Sequence, residues 1–195
     1  MIRAAEIPAS ARRWRIGGDR WIDLHRPAVM GILNVTPDSF SDGGRHADPA
    51  AAVDAAASMV AAGAVIIDVG GESTRPGAAR VSAAEQIDRV RPVVAAVAAR
   101  FEVAVSIDTT LGPVARAALD AGARIVNDVS AGTEDPDVLA AAAEHDAGLV
   151  LMHRLRPPEE DSYSDRYLEP PVYDDPVATV AEFLRQRIAA AEAAG

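Results

Sequence analysis

The sequence contains no cysteine. That excludes a disulfide scaffold, a thiolate metal site and a cysteine nucleophile. It contains no lysine either: all 19 basic residues are arginine, against 29 acidic ones, for a formal net charge of −10. Such a balance argues against non-specific nucleic-acid binding, which needs many phosphates neutralised at once. A phosphorylated small molecule stays compatible, because it needs only one local site. No apolar run reaches the roughly 18 residues of a membrane span. Met1–Arg15 lacks a long apolar core and does not read as a secretory signal. With the missing cysteines, this reads as a cytoplasmic protein. What the chain does have is ordinary for one globular domain: 195 residues, 49% hydrophobic and 25% charged. Its 42 alanines reflect composition bias.

The punctuation repeats. Asp48-Pro49, Gly112-Pro113, Asp135-Pro136 and Asp175-Pro176 each open an Ala-rich stretch with helical spacing. Aspartate caps a helix N-terminus and proline suits its first turn, while glycine closes the end. Ser82 and Glu85 form a capping box for a further helix, with Ile87, Val90, Val94, Val97 and Phe101 on one face and Pro92 inside it. The last helix carries Val177, Val180, Leu184 and Ile188 on one face. Between helices stand short apolar runs: 28–35, 64–68, 103–107, 124–126 and 149–152. Ahead of them, Trp14–Ile16 and Trp21–Leu24 flank Gly17-Gly18-Asp19 as a β-hairpin. It is placed as a lid on one end of the core, with Trp14 and Trp21 packing it.

Apolar strands alternating with helices give an α/β fold with a parallel, helix-covered sheet. A doubly wound sheet and a (β/α)8 TIM barrel both satisfy this. A full barrel takes about 250 residues and eight units. This chain supplies five and stops at Ala194-Gly195, where each earlier helix hands over to a strand. The expectation is the N-terminal part of a longer barrel: a segment 1–27 with the hairpin, then an incomplete barrel over 28–195.

In both architectures the active face lies at the strand C-termini. There stand Asn34 and the loop 36–45; Asp68 and the Gly70–Gly77 loop; Asp108-Thr109-Thr110; Asn127-Asp128; and His153 with Arg154 and Arg156. The Asn34 oxygen suits a hard cation such as Mg²⁺. Asp108 and Asn127 together suit a flat heterocycle, since a carboxylate accepts two N–H bonds and an amide both donates and accepts. Arg75 suits an acidic partner. Asp68, Glu72 and Asp128 read as groups orienting their own loops. His153 reads as a packed histidine, and His25, His46 and His145 as solvated ones. No Ser-His-Asp set, zinc spacing or phosphate-binding glycine motif is present.

Two runs are more specific than any of this. Met30–Gly44, MGILNVTPDSFSDGG, and Ile67–Gly77, IDVGGESTRPG, resemble the first two signatures of the dihydropteroate synthase family. Ser106–Thr109, Ile125–Ser130 and Leu151–His153 resemble its next three strand ends, in family order. The resemblance implies a (β/α)8 barrel that condenses 7,8-dihydropterin-6-ylmethyl diphosphate with 4-aminobenzoate, giving dihydropteroate and pyrophosphate. It implies that Asn34 ligands Mg²⁺, and that Asp108 and Asn127 bind the pterin in a pocket lined by Val129 and Met152. It assigns Phe40, Thr74 and Pro76 to the aminobenzoate site, and Asp42 and Arg75 to locking the two loops together. Asn34, Asp108 and Arg75 are thus the catalytic set. The expected partners are the two small substrates and, at full length, a second copy of the chain in a homodimer, with no nucleic acid or membrane. The family's second pterin aspartate, pocket lysine and Arg-x-His clamp belong to later strands. Thr110-Leu111 replaces the usual small-then-basic pair, and 154–172 is longer than the family pattern. Two other readings stand beside this one. A non-catalytic pterin-binding remnant is one. A methyltetrahydrofolate methyltransferase domain is the other, but the 36–44 loop suits a diphosphate leaving group and aminobenzoate, which that reaction lacks.

Overall fold

The computed structural model describes residues 12–36, 49–163, 166–167 and 171–195. Strands β1 (Arg13–Arg15) and β2 (Trp21–Asp23) form an antiparallel hairpin with Trp14 opposite Ile22. Its turn is built on Gly17 and Gly18, at φ 105° and 52°, a region that glycine enters without a steric penalty. Then follow β3 (Met30–Asn34), α1 (Pro49–Ala61), β4 (Ile66–Gly70), α2 (Ala83–Arg100), β5 (Ala104–Asp108), α3 (Gly112–Asp120), β6 (Ile125–Asp128), α4 (Asp137–Glu144), β7 (Gly148–Leu151) and α5 (Pro176–Ala194).

The caps behave as their chemistry dictates. Asp175 accepts from Ala178 N at 2.9 Å. Asp135 accepts from Asp137 N at 3.1 Å and, across the fold, from Gly112 N at 2.7 Å. Ser82 accepts from Glu85 N at 3.3 Å, while the Glu85 carboxylate turns to Arg89 instead of closing the box. Helix α2 continues through Pro92. The Asp48 cap lies outside the described residues.

Strands β3 to β7 pair in parallel, in chain order, with no reversal. A doubly wound sheet would reverse its order at a switch point. Sequential order is what a (β/α) barrel requires, so the barrel reading prevails. Period-two alternation divides the strand residues between two faces. Leu33, Val35, Ile67, Val69, Val105, Ile107 and Val126 face the helices and join Val90, Val93, Val94 and Val97 of α2 in one buried core. Each such valine contributes about 1.5–3 kcal/mol by leaving water. On the other face Ile66, Ala104 and Ile125 receive Ile16 and Ile22 of the hairpin. The hairpin is therefore a plug on that face, as expected. Asp146 secures it, accepting from Gly18 N at 2.9 Å and pairing with Arg15 at 2.5 Å.

Two expectations are corrected, and the last helix is mostly exposed. Trp14 packs against the plug, but Trp21 is half exposed with the Arg13 guanidinium over its ring. His145 is partnered, with Asp120 at 3.1 Å and the Ala141 carbonyl at 2.9 Å. Helix α5 buries no residue. Beyond β7 no further strand lies beneath it among the described residues, so Val177 and Ile188 stay exposed. His25 is exposed as expected, and His46 lies outside the described residues.

Candidate active site

The inward face of the sheet is layered. Ile66 pairs with Ala104, Asp68 with Ser106, and Gly70 with Asp108; Ser106 in turn pairs with Ile125 and Asp108 with Asn127. Successive inward positions therefore run from an apolar floor of Ile66 and Ala104, through Asp68, Ser106 and Ile125, to Asp108 and Asn127 at the strand ends. The hairpin closes the floor, and the polar layers face the opposite end.

Asp108 and Asn127 stand side by side, in register, on neighbouring strands. Gly70 completes the arrangement. A Cβ there would lie 3.4 Å from Asn34 Oδ1 and 3.7 Å from Asp108 Oδ2, so the missing side chain lets both groups approach the same spot. The Asp108 carboxyl is pushed up to about 7. Burial is the main cause, followed by the charges of Asp68, Asp128 and Glu72, with Arg154 pulling the other way. Its Oδ1 is buried with no hydrogen-bond partner among the described residues. It is an acid held ready for a donor that the described residues do not supply.

Asp68 is only 3% exposed. It was expected to hold its own loop. Instead it accepts from Asn127 Nδ2 at 2.9 Å, two strands away. Burial pushes its carboxyl up, and the Ser106 hydroxyl and the Asn127 amide draw it back. Asp128 and Glu72 do orient loops. Asp128 accepts from Ser130 N and Ser130 Oγ, both at 2.7 Å, and from Gly132 N at 2.5 Å. Glu72 accepts from Val81 N at 2.5 Å.

The loops above the strands share one cation. Arg80 meets Glu134 at 2.7 Å, Glu72 at 3.4 Å and Glu159 at 3.7 Å, and donates to Thr110 Oγ1 at 3.5 Å. These partners come from the segments following β4, β5, β6 and β7. Arg154 joins Glu134 as well. Gly77 N donates to the Pro158 carbonyl at 2.7 Å, tying the β4 loop to the short 3₁₀ turn Pro158–Glu160. A small hollow results, lined by Asp108, Thr74, Val129 and Arg154 among others. The reading of the sequence missed Arg80, for no spacing links positions 72, 80, 134 and 159.

Of the other singled-out residues, Asn34 and Thr74 are exposed and Pro76 half-buried. Met152 is 42% exposed just beyond β7. Arg75 is exposed, with no ion pair among the described residues. Phe40 and Asp42 lie outside the described residues. His153 packs edge-on to Phe183, with ring centroids 4.9 Å apart. A wider groove at the hairpin end carries Arg20, Asp23, Arg100 and Glu102 but no buried polar residue.

The described residues contain no group of three His, Asp or Glu side chains that could cage a metal. A single exposed amide oxygen, Asn34, fits a different arrangement. Mg²⁺ keeps several waters and takes its remaining ligands from one or two side chains plus substrate phosphates.

The sequence profile of a family described as "Pterin binding enzyme" matches residues 30–195. The dihydropteroate synthase of Escherichia coli (strain K12) is 51% identical over 174 residues, covering 89% of this chain and 59% of that protein. A Yersinia pestis dihydropteroate synthase in complex with a sulfonamide drug superposes with a TM-score of 0.80 at 45% identity, covering 92% of this chain and 62% of that one. A Xanthomonas albilineans dihydropteroate synthase with 4-aminobenzoic acid gives 0.79 at 44% identity, covering 94% and 62%. This chain thus spans about three fifths of these relatives' length, and its five βα units form the corresponding part of a TIM barrel. The profile match begins at the first residue of β3 and takes in all five strands of the parallel sheet, with Asn34, Asp108 and Asn127 at their ends, Asp68 in the middle of β4 and His153 just beyond β7; the chain belongs to the pterin binding enzyme family.

Proposed function

We propose that this chain carries the pterin half of a dihydropteroate synthase. The reaction joins the methylene carbon of 7,8-dihydropterin-6-ylmethyl diphosphate to the amine of 4-aminobenzoate. The carbon–oxygen bond to diphosphate breaks, a carbon–nitrogen bond forms, the amine loses a proton and pyrophosphate leaves. The observation that carries this reading is Asp108 and Asn127 in register at the strand ends, with the buried Asp108 oxygen lacking a partner.

Asp108 and Asn127 would hold the polar edge of the pterin, and Val129 and Met152 would flank its ring. As the carbon–oxygen bond lengthens, the methylene carbon becomes cation-like, and the Asp108 carboxylate would favour that charge. Thr74 and Pro76, with Phe40, would seat the aminobenzoate. Arg75, with no ion pair among the described residues, is free to meet Asp42 or a substrate anion. Positioning of the neutral amine then supplies much of the rate. Asn34 would hold Mg²⁺, which supplies charge stabilisation to the leaving diphosphate when bound.

The test is direct. The 195-residue chain and its Asp108→Asn variant are incubated with both substrates and Mg²⁺, and pyrophosphate and dihydropteroate are quantified. Product from the parent chain and none from the variant supports the reading. Binding of the dihydropterin without turnover would favour the pterin-binding remnant instead. Absence of binding refutes both.

A further inference from the structure

Asp68 is a buried acid that the reaction as proposed does not require at the reacting carbon. Its position is nonetheless specific. It sits one inward layer below Asp108, level with Ser106, and its side chain crosses β5 to reach β6. Crossing is possible because the residue between them is serine: fully buried, small, and leaving room above the β5 backbone. On the far side Asp68 Oδ2 accepts from Asn127 Nδ2 at 2.9 Å.

An asparagine side chain has two faces, a donor NH₂ and an acceptor carbonyl, and rotation about its last bond exchanges them. An ionised carboxylate only accepts. Beside Asp68, therefore, one orientation of Asn127 makes a charge-assisted hydrogen bond and the other sets two oxygens against each other. We infer that Asp68 is a positioning residue that fixes the Asn127 amide with its NH₂ turned inward to Asp68, leaving its carbonyl oxygen to accept from the ligand at the strand ends. Asn127 then offers an acceptor beside Asp108, and the pair presents acceptors along one edge. That edge selects a heterocycle carrying adjacent N–H donors over one carrying acceptors at the same positions. The functional part of this inference rests on the proposed pterin site; the orientation of the amide does not.

The chain suits a direct test. It has two asparagines, Asn34 and Asn127, and two glutamines, so its side-chain amide NMR spectrum is small enough to assign completely. In ¹⁵N-labelled protein at pH 7.5, one Asn127 Nδ2 proton should be shifted downfield and exchange about tenfold or more slowly than those of exposed Asn34. Asp68→Asn keeps the shape and removes the fixed acceptor, so that signal should lose its shift and protection. Affinity for 7,8-dihydropterin-6-ylmethyl diphosphate should fall about tenfold to a hundredfold, as for loss of a hydrogen bond to a charged group. In the exchanged pair D68N/N127D, the asparagine at 68 again donates across β5. An oxygen at 127 again faces the ligand, so affinity should recover above that of D68N. Thermal midpoints measured alongside show that all variants are folded.

Unchanged Asn127 amide signals in D68N, or fast exchange in the parent chain, would overturn the inference. So would unchanged pterin affinity in folded D68N, or a folded exchanged pair no better than D68N. If the parent chain binds no pterin while its Asn127 signals respond to D68N as expected, the orienting role of Asp68 stands and the proposed function falls.

Discussion

The strongest prediction concerns Asp108 and stability. Its carboxyl is displaced from 3.8 to about 7 by burial and by neighbouring acids. A native state that holds a proton more tightly than the unfolded chain gains from protonation and is weakened as that proton is lost. The penalty is absent below about pH 4, where both states are protonated. It grows as pH rises from about 4 to about 7 and is fully present above that. At about 1.4 kcal/mol for each tenfold in proton affinity, the displacement amounts to about 4 kcal/mol, and water entering the strand ends brings this toward about half. Asp108→Asn keeps the shape and cannot ionise. At pH 8 it should therefore be more stable than the parent by about 2–4 kcal/mol, which in a chain of this size is about 4–16 °C in melting temperature. At pH 4 the two should melt together. The assay is thermal unfolding by circular dichroism from pH 4 to pH 8.5, reading only the difference between the two proteins so that other titrations cancel. A difference that does not vary with pH, or a variant that melts lower at pH 8, refutes the reasoning. The same variant should lose pterin binding, so stability would rise where function falls.

Other outcomes follow from single contacts. Asp128→Ala removes the acceptor for Ser130 N, Ser130 Oγ and Gly132 N in a fully buried place; it should cost about 3 kcal/mol in urea unfolding. Gly71→Ala would set a Cβ 2.8 Å from Val90 Cγ1 and 3.3 Å from the Gln86 backbone; displacing α2 from the β4 loop should cost about 1–3 kcal/mol in the same assay. Arg80→Ala leaves Glu72, Glu134 and Glu159 facing one another without their shared cation. The stability loss should be modest, about 1 kcal/mol, because Arg80 is partly exposed. Hydrogen exchange at the Gly77 amide should nonetheless accelerate, since its bond to the Pro158 carbonyl depends on the loops staying together.

Much of this fold is legible because its signals are local. Asp-Pro at Asp175-Pro176 and Gly-Pro at Gly112-Pro113 open helices through their own backbone chemistry, whatever the rest of the chain does. The β-branched runs between helices have no competing solution once they must be buried on both faces. The site is legible where it depends on place along a strand: Asn34, Asp108 and Asn127 all stand within the last two residues of β3, β5 and β6. Arg80 could not be read, since its three carboxylate partners come from three separate loop segments and only folding brings them within reach. Burial of the α5 face also escaped, because helical spacing reports which residues share a face and not what lies beneath it.

Asp68 lies between these cases, and its parity holds the clue. Side chains alternate along a strand, so Asp68 shares a face with Ile66 and Gly70, and Ser106 with Asp108. Counted that way, Asp68 points into the barrel and away from its own loop, and only a neighbouring strand can supply its partner. Ionised acids gathered on an inward face repel one another and lose hydration, so that face costs stability wherever they are not paired. Asp68 gives one oxygen to the Asn127 amide, while its other, buried oxygen has no partner among the described residues; Asp128, which by the same parity shares the helix-facing side with Val126, accepts from the backbone of the loop after β6. Asp108, between them, has an oxygen that finds nothing among the described residues. Of the two inward acids, Asp108 is the one at the open end of the strands, where a ligand carrying N–H groups can do for it what the Asn127 amide does for Asp68.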